Sequence, residues 1–433
     1  MTRMKESGID WIGQIPEEWV ISKIKFTTQL NGRIGWQGLT SAEYKEEGPY
    51  LITGTDFHNG TINFETAVHI DEKRWSEASQ IQVENGDLLI TKDGTVGKVA
   101  IISGLDDKAS LNSGVLRIQT IDEIDRKFLY YVLLSDEFWM WFNYTNSGAS
   151  TILHLYQNVF DEFTFTFPQK NEQQKIADFL DKKIAQLDKV KTLLKEQIQK
   201  LKDYRASLIY ETVTKGLDKT VPMKDSGIDW VGQVPQGWGV KRLKDYVDFQ
   251  TGTTPPNSIG VNQEGKGIRW FKPGDFSDES VDLTSAENYI TSEVVNQQKL
   301  SVYPEKTILV VGIASIGKVG YSENHSYSNQ QITALKVTGQ IFPKYLAYLM
   351  FSSGQYIRET ALYTIVPIIN NQYLSSLKIV LPNRVVQETI VEYLDKKIGQ
   401  INKMIVIKNE QIKNINKQRQ TLIYDYVTGK RRV

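Results

Sequence analysis

The stretch "GIASIGKV" (312–319) comes within one residue of a phosphate-binding loop. Such a loop needs glycines so that backbone N–H groups can approach phosphate, a Lys for charge, and a closing Ser or Thr hydroxyl to hold magnesium. Here the closing position is Val319, and the counterpart "KDGTVGKV" (92–99) lacks the leading Gly as well. The residues after each stretch are β-like rather than helical. Both stretches therefore read as tight turns between two strands, permitted by Gly97 and Gly317. Lys98 and Lys318 are then either solvated or set against phosphate. The four His (His58, His69, His154, His325) have no metal-ligand spacing. There is no Cys, which excludes disulfides, Cys-based zinc and a Cys nucleophile. No G-x-S-x-G, no clustered carboxylates and no Asn/Asp-Pro-Pro-aromatic methyltransferase signature is present; "TTPPNS" (253–258) is a Pro-rich turn. The sequence offers neither a catalytic constellation nor a metal site.

The near-identity of those two turns belongs to a larger doubling. "MKESGIDWIGQIPEEW" (4–19) returns as "MKDSGIDWVGQVPQGW" (223–238), with eleven of sixteen positions identical at an offset of 219. "FLDKKIAQLDKVKTLLKEQIQKLKDYRASLIYETVT" (179–214) returns as "YLDKKIGQINKMIVIKNEQIKNINKQRQTLIYDYVT" (393–428), at an offset of 214. Weaker echoes lie between: "TGTDF" (53–57) with "KPGDF" (272–276), and "TFP" (166–168) with "VLP" (380–382). The flanks match and the middles differ, as in a duplicated scaffold carrying two payloads. A solenoid would repeat every 20–50 residues.

The flanking helices have a heptad seam. Leu180, Leu187, Leu194, Leu201 and Leu208 recur every seven residues, with Ile184 and Ile198 four residues after a Leu. Leu394, Ile401, Ile415 and Leu422 hold the same places in the second copy, with Ile398, Ile405 and Ile412 beside them. Such a seam predicts a coiled coil. Each helix should run about 40 residues, roughly 60 Å. Lys191 and Arg205 interrupt one seam, Lys408 and Arg419 the other. Charges there either fix register or snorkel to water. The two helices are expected to pack antiparallel. Pseudo-twofold symmetry then places the N-terminal block beside the end of the second helix, just as the second block comes directly after the first helix.

The expected fold class is therefore α/β (α+β), with two globular mixed domains and two long helices. The predicted divisions are 1–168 and 220–382 for the domains, and 169–219 and 383–433 for the helices. Runs such as "DLLITK", "KVAII", "TILVV" and "ITALKV" read as strands. "KFLYYVLLSDEFWMWF" (127–142) and "PKYLAYLMFSSGQYI" (343–357) read as helices with one apolar face. No apolar run reaches the ~18 residues of a membrane span. The polar opening "MTRMKESGID" predicts no signal peptide, hence a cytoplasmic protein. The chain has 51 basic and 51 acidic residues. Of these, 21 and 13 fall in 171–219 and 386–433, leaving 30 and 38 elsewhere. Bulk positive charge is thus excluded as the means of gripping nucleic acid, while a few placed residues are not.

The opening "DWIGQIPEEW", the junction "FPQKNEQQKIADFLDKKI", its partner "LPNRVVQETIVEYLDKKI" and the doubled layout resemble the specificity subunit of type I restriction-modification systems. The resemblance covers essentially the whole chain. It implies two target recognition domains, each reading one half of a bipartite target in double-stranded DNA. It also implies helices that set the spacing and dock two modification (methyltransferase) subunits, with restriction subunits joining the full complex. The chain itself would be non-catalytic. S-adenosylmethionine would belong to the modification subunits, ATP and magnesium to the restriction subunits, and no cofactor to this chain.

Base readers should be Arg or Lys on guanine and Asn or Gln on adenine, placed where the halves diverge. In the first domain these are Arg33, Gln37, Arg74 and Lys92, with Lys98 on phosphate. In the second they are Asn262, Arg269 and Lys272, with Lys318 on phosphate. Thr53 and Gly312 stand opposite Lys272 and Lys92. Each could equally be a solvated surface side chain. Two rival classes are a stand-alone enzyme, opposed by the missing motifs, and a pure coiled-coil scaffold, opposed by the divergence of the two middles.

Overall fold

A computed structural model describes residues 3–33, 39–146, 153–254, 261–361 and 368–433. It divides into two compact units, and their boundaries cross the repeats. Unit 1 is Met1–Leu193 with Glu410–Val433, and unit 2 is Leu194–Asn409. The long helices, Lys170–Lys215 and Arg384–Val427, are each shared between the units instead of standing apart as divisions of their own.

Each unit is built on the same plan. The repeated block folds as a hairpin, Met4–Glu6 on Gln14–Pro16 and Met223–Asp225 on Gln233–Pro235. The chain then enters the variable region on a strand that pairs antiparallel with the strand leaving it. Val20–Lys23 pairs with Thr164–Phe167, and Gly239–Arg242 with Lys378–Leu381. These are the "TFP" and "VLP" echoes, and they tie each variable region at its neck.

Beyond the neck, each unit holds two four-stranded sheets. In unit 1 the first sheet runs Val99–Ile101, Leu88–Thr91, Val115–Thr120, Thr28–Gly32. In unit 2 it runs Val319–Ser322, Thr307–Val311, Ile332–Val337, Val247–Thr251. Both are antiparallel throughout, and Leu88–Thr91 and Thr307–Val311 are wholly buried, as expected of strands covered on both faces. The second sheets contain one parallel pair each, Ala109–Leu111 with Tyr50–Ile52 and Arg269–Phe271 with Ser326–Ser328. The segments read as single helices are each two. Arg126–Leu134 and Asp136–Thr145 are broken at Ser135, whose backbone is extended. Pro343–Ser352 and Gly354–Thr360 are broken at Ser353. Trp141 is core, while Trp139 is half-buried against Gly97.

The helix seams pack antiparallel within each unit. In unit 1, Phe179 meets Tyr426 (4.6 Å between ring centroids) and Lys191 Nζ donates to Asn416 Oδ1 (2.9 Å). Twelve residues up one helix thus correspond to ten down the other. In unit 2, Lys408 Nζ donates to Gln197 Oε1 (2.5 Å) and Arg205 to Asn402 Oδ1 (2.5 Å). Leu180, Ile184, Ile198, Leu394, Ile401 and Ile405 are buried; Leu187, Leu194, Leu201, Leu208, Ile415 and Leu422 are half-buried. The interrupting cations Lys191, Arg205 and Lys408 therefore each find an amide on the facing helix. A hydrogen bond at one fixed position favours one register over its neighbours.

The expected closure of the ends is present in unit 1. Tyr424 donates to Trp11 O (2.7 Å), and Lys430 Nζ to Ile12 O (2.6 Å) and Gln14 O (2.5 Å). The repeat of the first bond in unit 2 is Tyr210 to Trp230 O (3.0 Å).

A buried Gln anchors each variable region to its long helix. Gln173 accepts from Asp125 N (2.8 Å) and donates to Pro168 O (2.8 Å); Gln387 accepts from Phe342 N (2.7 Å) and donates to Pro382 O (2.9 Å). A Lys and a Tyr one helical turn apart then share an Asp of that helix. Asp181 takes Lys127 (2.8 Å) and the Tyr131 hydroxyl (2.5 Å); Asp395 takes Lys344 (3.1 Å) and the Tyr348 hydroxyl (2.6 Å). Burial works against the charge on Lys344, yet Asp282 and Asp395 outweigh it and hold its pKa above the ordinary value.

Candidate nucleic-acid interface

The two phosphate-loop-like stretches are hairpin turns joining Leu88–Thr91 to Val99–Ile101 and Thr307–Val311 to Val319–Ser322. Gly97 (φ +80°) and Gly317 (φ +76°) sit in the left-handed region, where a side chain would be strained. At the same end of the sheets, three further segments meet each turn, and their main-chain bonds recur in both units. Residue 92 donates its N–H to Gly114 O (2.8 Å), as Gly312 does to Gln331 O (2.8 Å). Leu155 N donates to Lys92 O (2.9 Å), as Ile369 N does to Gly312 O (2.9 Å). Asn112 N donates to Ile52 O (2.9 Å), as Asn329 N does to Phe271 O (3.2 Å). Asp56 caps the N–H of Thr53 (2.7 Å), as Asp275 caps that of Lys272 (2.7 Å). One backbone framework thus carries two sets of side chains.

Lys98 and Lys318 occupy matching places. Each ammonium donates to a carbonyl of the neighbouring turn, Gly54 O (3.2 Å) and Phe276 O (3.2 Å), and Lys318 also lies 3.7 Å from Asp278. Lys92 and Lys272 stand on this face at places that do not match. Gly312, opposite Lys92, admits no side chain, because a Cβ there would lie 2.8 Å from Ile369 O. Lys272, opposite Thr53, sits 4.8 Å over the Trp270 ring. Each unit therefore adds one cation to the shared one, at a different spot.

The remaining candidates are placed elsewhere. Arg33 is 5% exposed and donates to Leu111 O (2.8 Å) and Ser110 Oγ (2.9 Å). It is a strut behind the face rather than a base reader, and burial lowers its pKa from the ordinary value. Arg74 lies on the short helix Glu72–Ser76, paired with Glu43 (2.9 Å) and Glu77 (2.9 Å), so its charge is already matched. Asn262 closes a turn of the second sheet through Lys266 O (3.0 Å), and Arg269 lies half-buried on Ile268–Phe271 of that sheet. Gln37 lies outside the described residues.

Sequence reasoning missed two features of this face. Asp93 pairs with His154 (2.7 Å), a pair with no counterpart at Ile313 and Ile368. The turns Asn112–Gly114 and Asn329–Gln331 are held by Asn Oδ1 accepting from the N–H two residues on (3.0 and 3.1 Å). Their signal was "LNSG" set against "SNQQ" at like distance from the hairpin turns.

Residues 16–202 and 235–414 match the model of the type I restriction modification DNA specificity domain. The chain belongs to this type I DNA-specificity family. Among its relatives, the MjaVIII specificity subunit of Methanocaldococcus jannaschii is 22% identical over 445 residues, covering 97% of this chain and 94% of the relative. The EcoBI specificity subunit of Escherichia coli is 26% identical over 326 residues, covering 73% and 64%. Two solved structures share the fold of this type I specificity chain. One comes from work on assembly and conformational transition of the type I R-M system, with TM-score 0.74, 16% identity and coverage of 95% of this chain and 98% of that one. The other is the HsdS subunit from Thermoanaerobacter tengcongensis, with TM-score 0.54, 16% identity and coverage of 96% and 98%. The matched segments of the specificity family begin within the two hairpin blocks and end within the long helices, so each copy includes one neck and one loop face.

Proposed function

We propose that this chain selects the DNA target of a type I restriction-modification complex, each unit reading one half of a bipartite sequence. The observation that carries this reading is the loop face built twice on one backbone framework with different side chains. A scaffold has no use for such a difference, whereas two half-sites require it. Lys98 and Lys318, common to both, suit phosphate; Lys92 and Lys272, unique to each, suit base edges. The neutral overall charge leaves much of the phosphate contact to partners.

The long helices then set the separation of the half-sites and dock two modification subunits, and the chain is non-catalytic and cytoplasmic. Among the described residues no helix is long and apolar enough to cross a membrane. The test is genome-wide adenine methylation in a host carrying this chain with its modification partner, against one lacking only this chain. A split motif that appears with the chain is expected. Methylation indifferent to the chain sinks the reading and favours a scaffold.

A further inference from the structure

Resting on that reading, we propose that Gln330 is a specificity-determining residue that reads an adenine in the half-site of unit 2. Gln330 is exposed at the apex of the Asn329–Gln331 turn. The turn beneath it is held from several sides. Asn329 N is bonded to Phe271 O (3.2 Å), Ile332 N to Asn329 O (3.2 Å), Gln331 N to Asn329 Oδ1 (3.1 Å), and Asn329 Nδ2 to Gln331 Oε1 (2.9 Å). The edge segment packs closely on the turn as well. Gly252 N donates to Ile332 O (3.0 Å), Thr253 N to Ser328 O (3.0 Å), and a Cβ on Gly252 would lie 2.2 Å from Ser328 O.

The side chain is oriented too, because the Thr254 hydroxyl donates to Gln330 Oε1. One lone pair of Oε1 is thereby engaged. Among the described residues the two N–H donors of Nε2 have no hydrogen-bond partner, and with the other lone pair they are left for a base edge. An amide with one acceptor and one donor side by side matches adenine in the major groove, where N6–H donates and N7 accepts. Holding the amide before DNA arrives lowers the entropy lost on binding. Lys272, one residue beyond the Phe271 carbonyl that holds the turn, stands on the adjoining segment to take a neighbouring guanine. In unit 1 the same apex is Ser113, whose short hydroxyl accepts either base partner, so the two faces diverge here as well.

The experiment maps methylation by the complete complex in vivo for wild type, Gln330→Ser, Gln330→Ala and Gln330→Glu. With Ser or Ala, one A·T position in one half of the motif should lose discrimination about 5- to 150-fold, with the other half and the gap unchanged. With Glu, which keeps the shape but only accepts, the same position should move toward cytosine, whose N4–H donates. The inference is overturned if the motif is unchanged, if the altered position is not A·T, or if intact purified variant complexes lose methylation at every position. Should Ser and Ala impair folding, the near-isosteric Glu variant decides alone, its thermal melt matched to wild type. A wild-type chain that confers no split motif sinks the functional reading itself; a wild-type motif indifferent to residue 330 sinks only this inference.

Discussion

Replacing Asp395 with Ala should loosen unit 2 at the point where its variable region meets the long helix. Two interactions vanish together. The Tyr348 hydroxyl, on a residue 2% exposed, loses its acceptor at 2.6 Å. A buried donor left unpaired costs about 1–3 kcal/mol. Lys344 loses one of its two carboxylates but keeps Asp282 at 3.2 Å. Asp395 is 41% exposed, so solvent screening holds that share to about 0–1 kcal/mol. The sum is about 1–4 kcal/mol. For a unit of about 200 residues this lowers Tm by roughly 2–16 °C. Thermal melting of the full chain supplies the shift, and native-state hydrogen exchange locates it in Leu194–Asn409 rather than in unit 1. Tyr348→Phe removes the hydroxyl itself, so Asp395→Ala should cost about 1 kcal/mol less in that background. A loss below about 0.5 kcal/mol, or no coupling between the two changes, would refute the claim that the shared Asp anchors the domain. Asp181→Ala should repeat the pattern in unit 1, through Lys127 and Tyr131.

Other parts of the molecule give further expected outcomes. Glu137 is fully buried with no hydrogen-bond partner among the described residues, and burial pushes its carboxyl well above the ordinary value. Its unfolded form ionises above about pH 4.5 while the folded form stays neutral, so unit 1 should lose stability as pH rises, by up to about 1.4 kcal/mol per pH unit. Urea melts at several pH values should show this slope flattened in Glu137→Gln. Gly312→Ala should destabilise unit 2 by about 1–3 kcal/mol, because the new methyl meets the Ile369 carbonyl; Lys92→Ala should change Tm little. Differential scanning calorimetry separates the two. Arg205→Ala, which strips Asn402 of its partner and Glu279 of one cation, should cost about 1–3 kcal/mol, and a null result in denaturant titration would leave the seam cation without a structural part.

The repeat and the helices could be read from the sequence because both are periodic: Leu180 to Leu208 and Leu394 to Leu422 state their partners by spacing alone. "TILVV" and "ITALKV" matched the strands Thr307–Val311 and Ile332–Val337, since buried β-branched runs bounded by turns have few alternatives. The second sheets were not legible. Strands such as Gln82–Val83 and Val261–Asn262 have two residues each, too few to show alternation. Nor were the break at Ser135 and the division of the helices between units, both of which are set by packing. Part of the candidate face was legible. Lys98 and Lys318 stand out because the hairpin turns repeat, whereas Lys92 and Lys272 stand out because the two copies differ there. Arg33 misled because a guanidinium suits a base edge and a buried carbonyl equally well, and one sequence does not tell which it meets. Gln330 went unnoticed because Asn-x-x looks like any turn until its neighbours are known.

The neck strands and the Lys-x-x-x-Tyr anchor bear on inheritance. A variable region is held by two paired strands, one buried Gln and one Asp of the long helix, all at the same places in both copies. A foreign segment arriving by recombination between the repeated blocks is seated by the neck strands, by a Lys and a Tyr one turn apart, and by apolar residues that share the core of the long helix, as Leu129 and Val132 or Leu346 and Leu349 do here. Segments beyond that contact are free to vary with the helices unchanged. The joint is thus a standard fitting, through which a lineage can acquire a new target while keeping its helices.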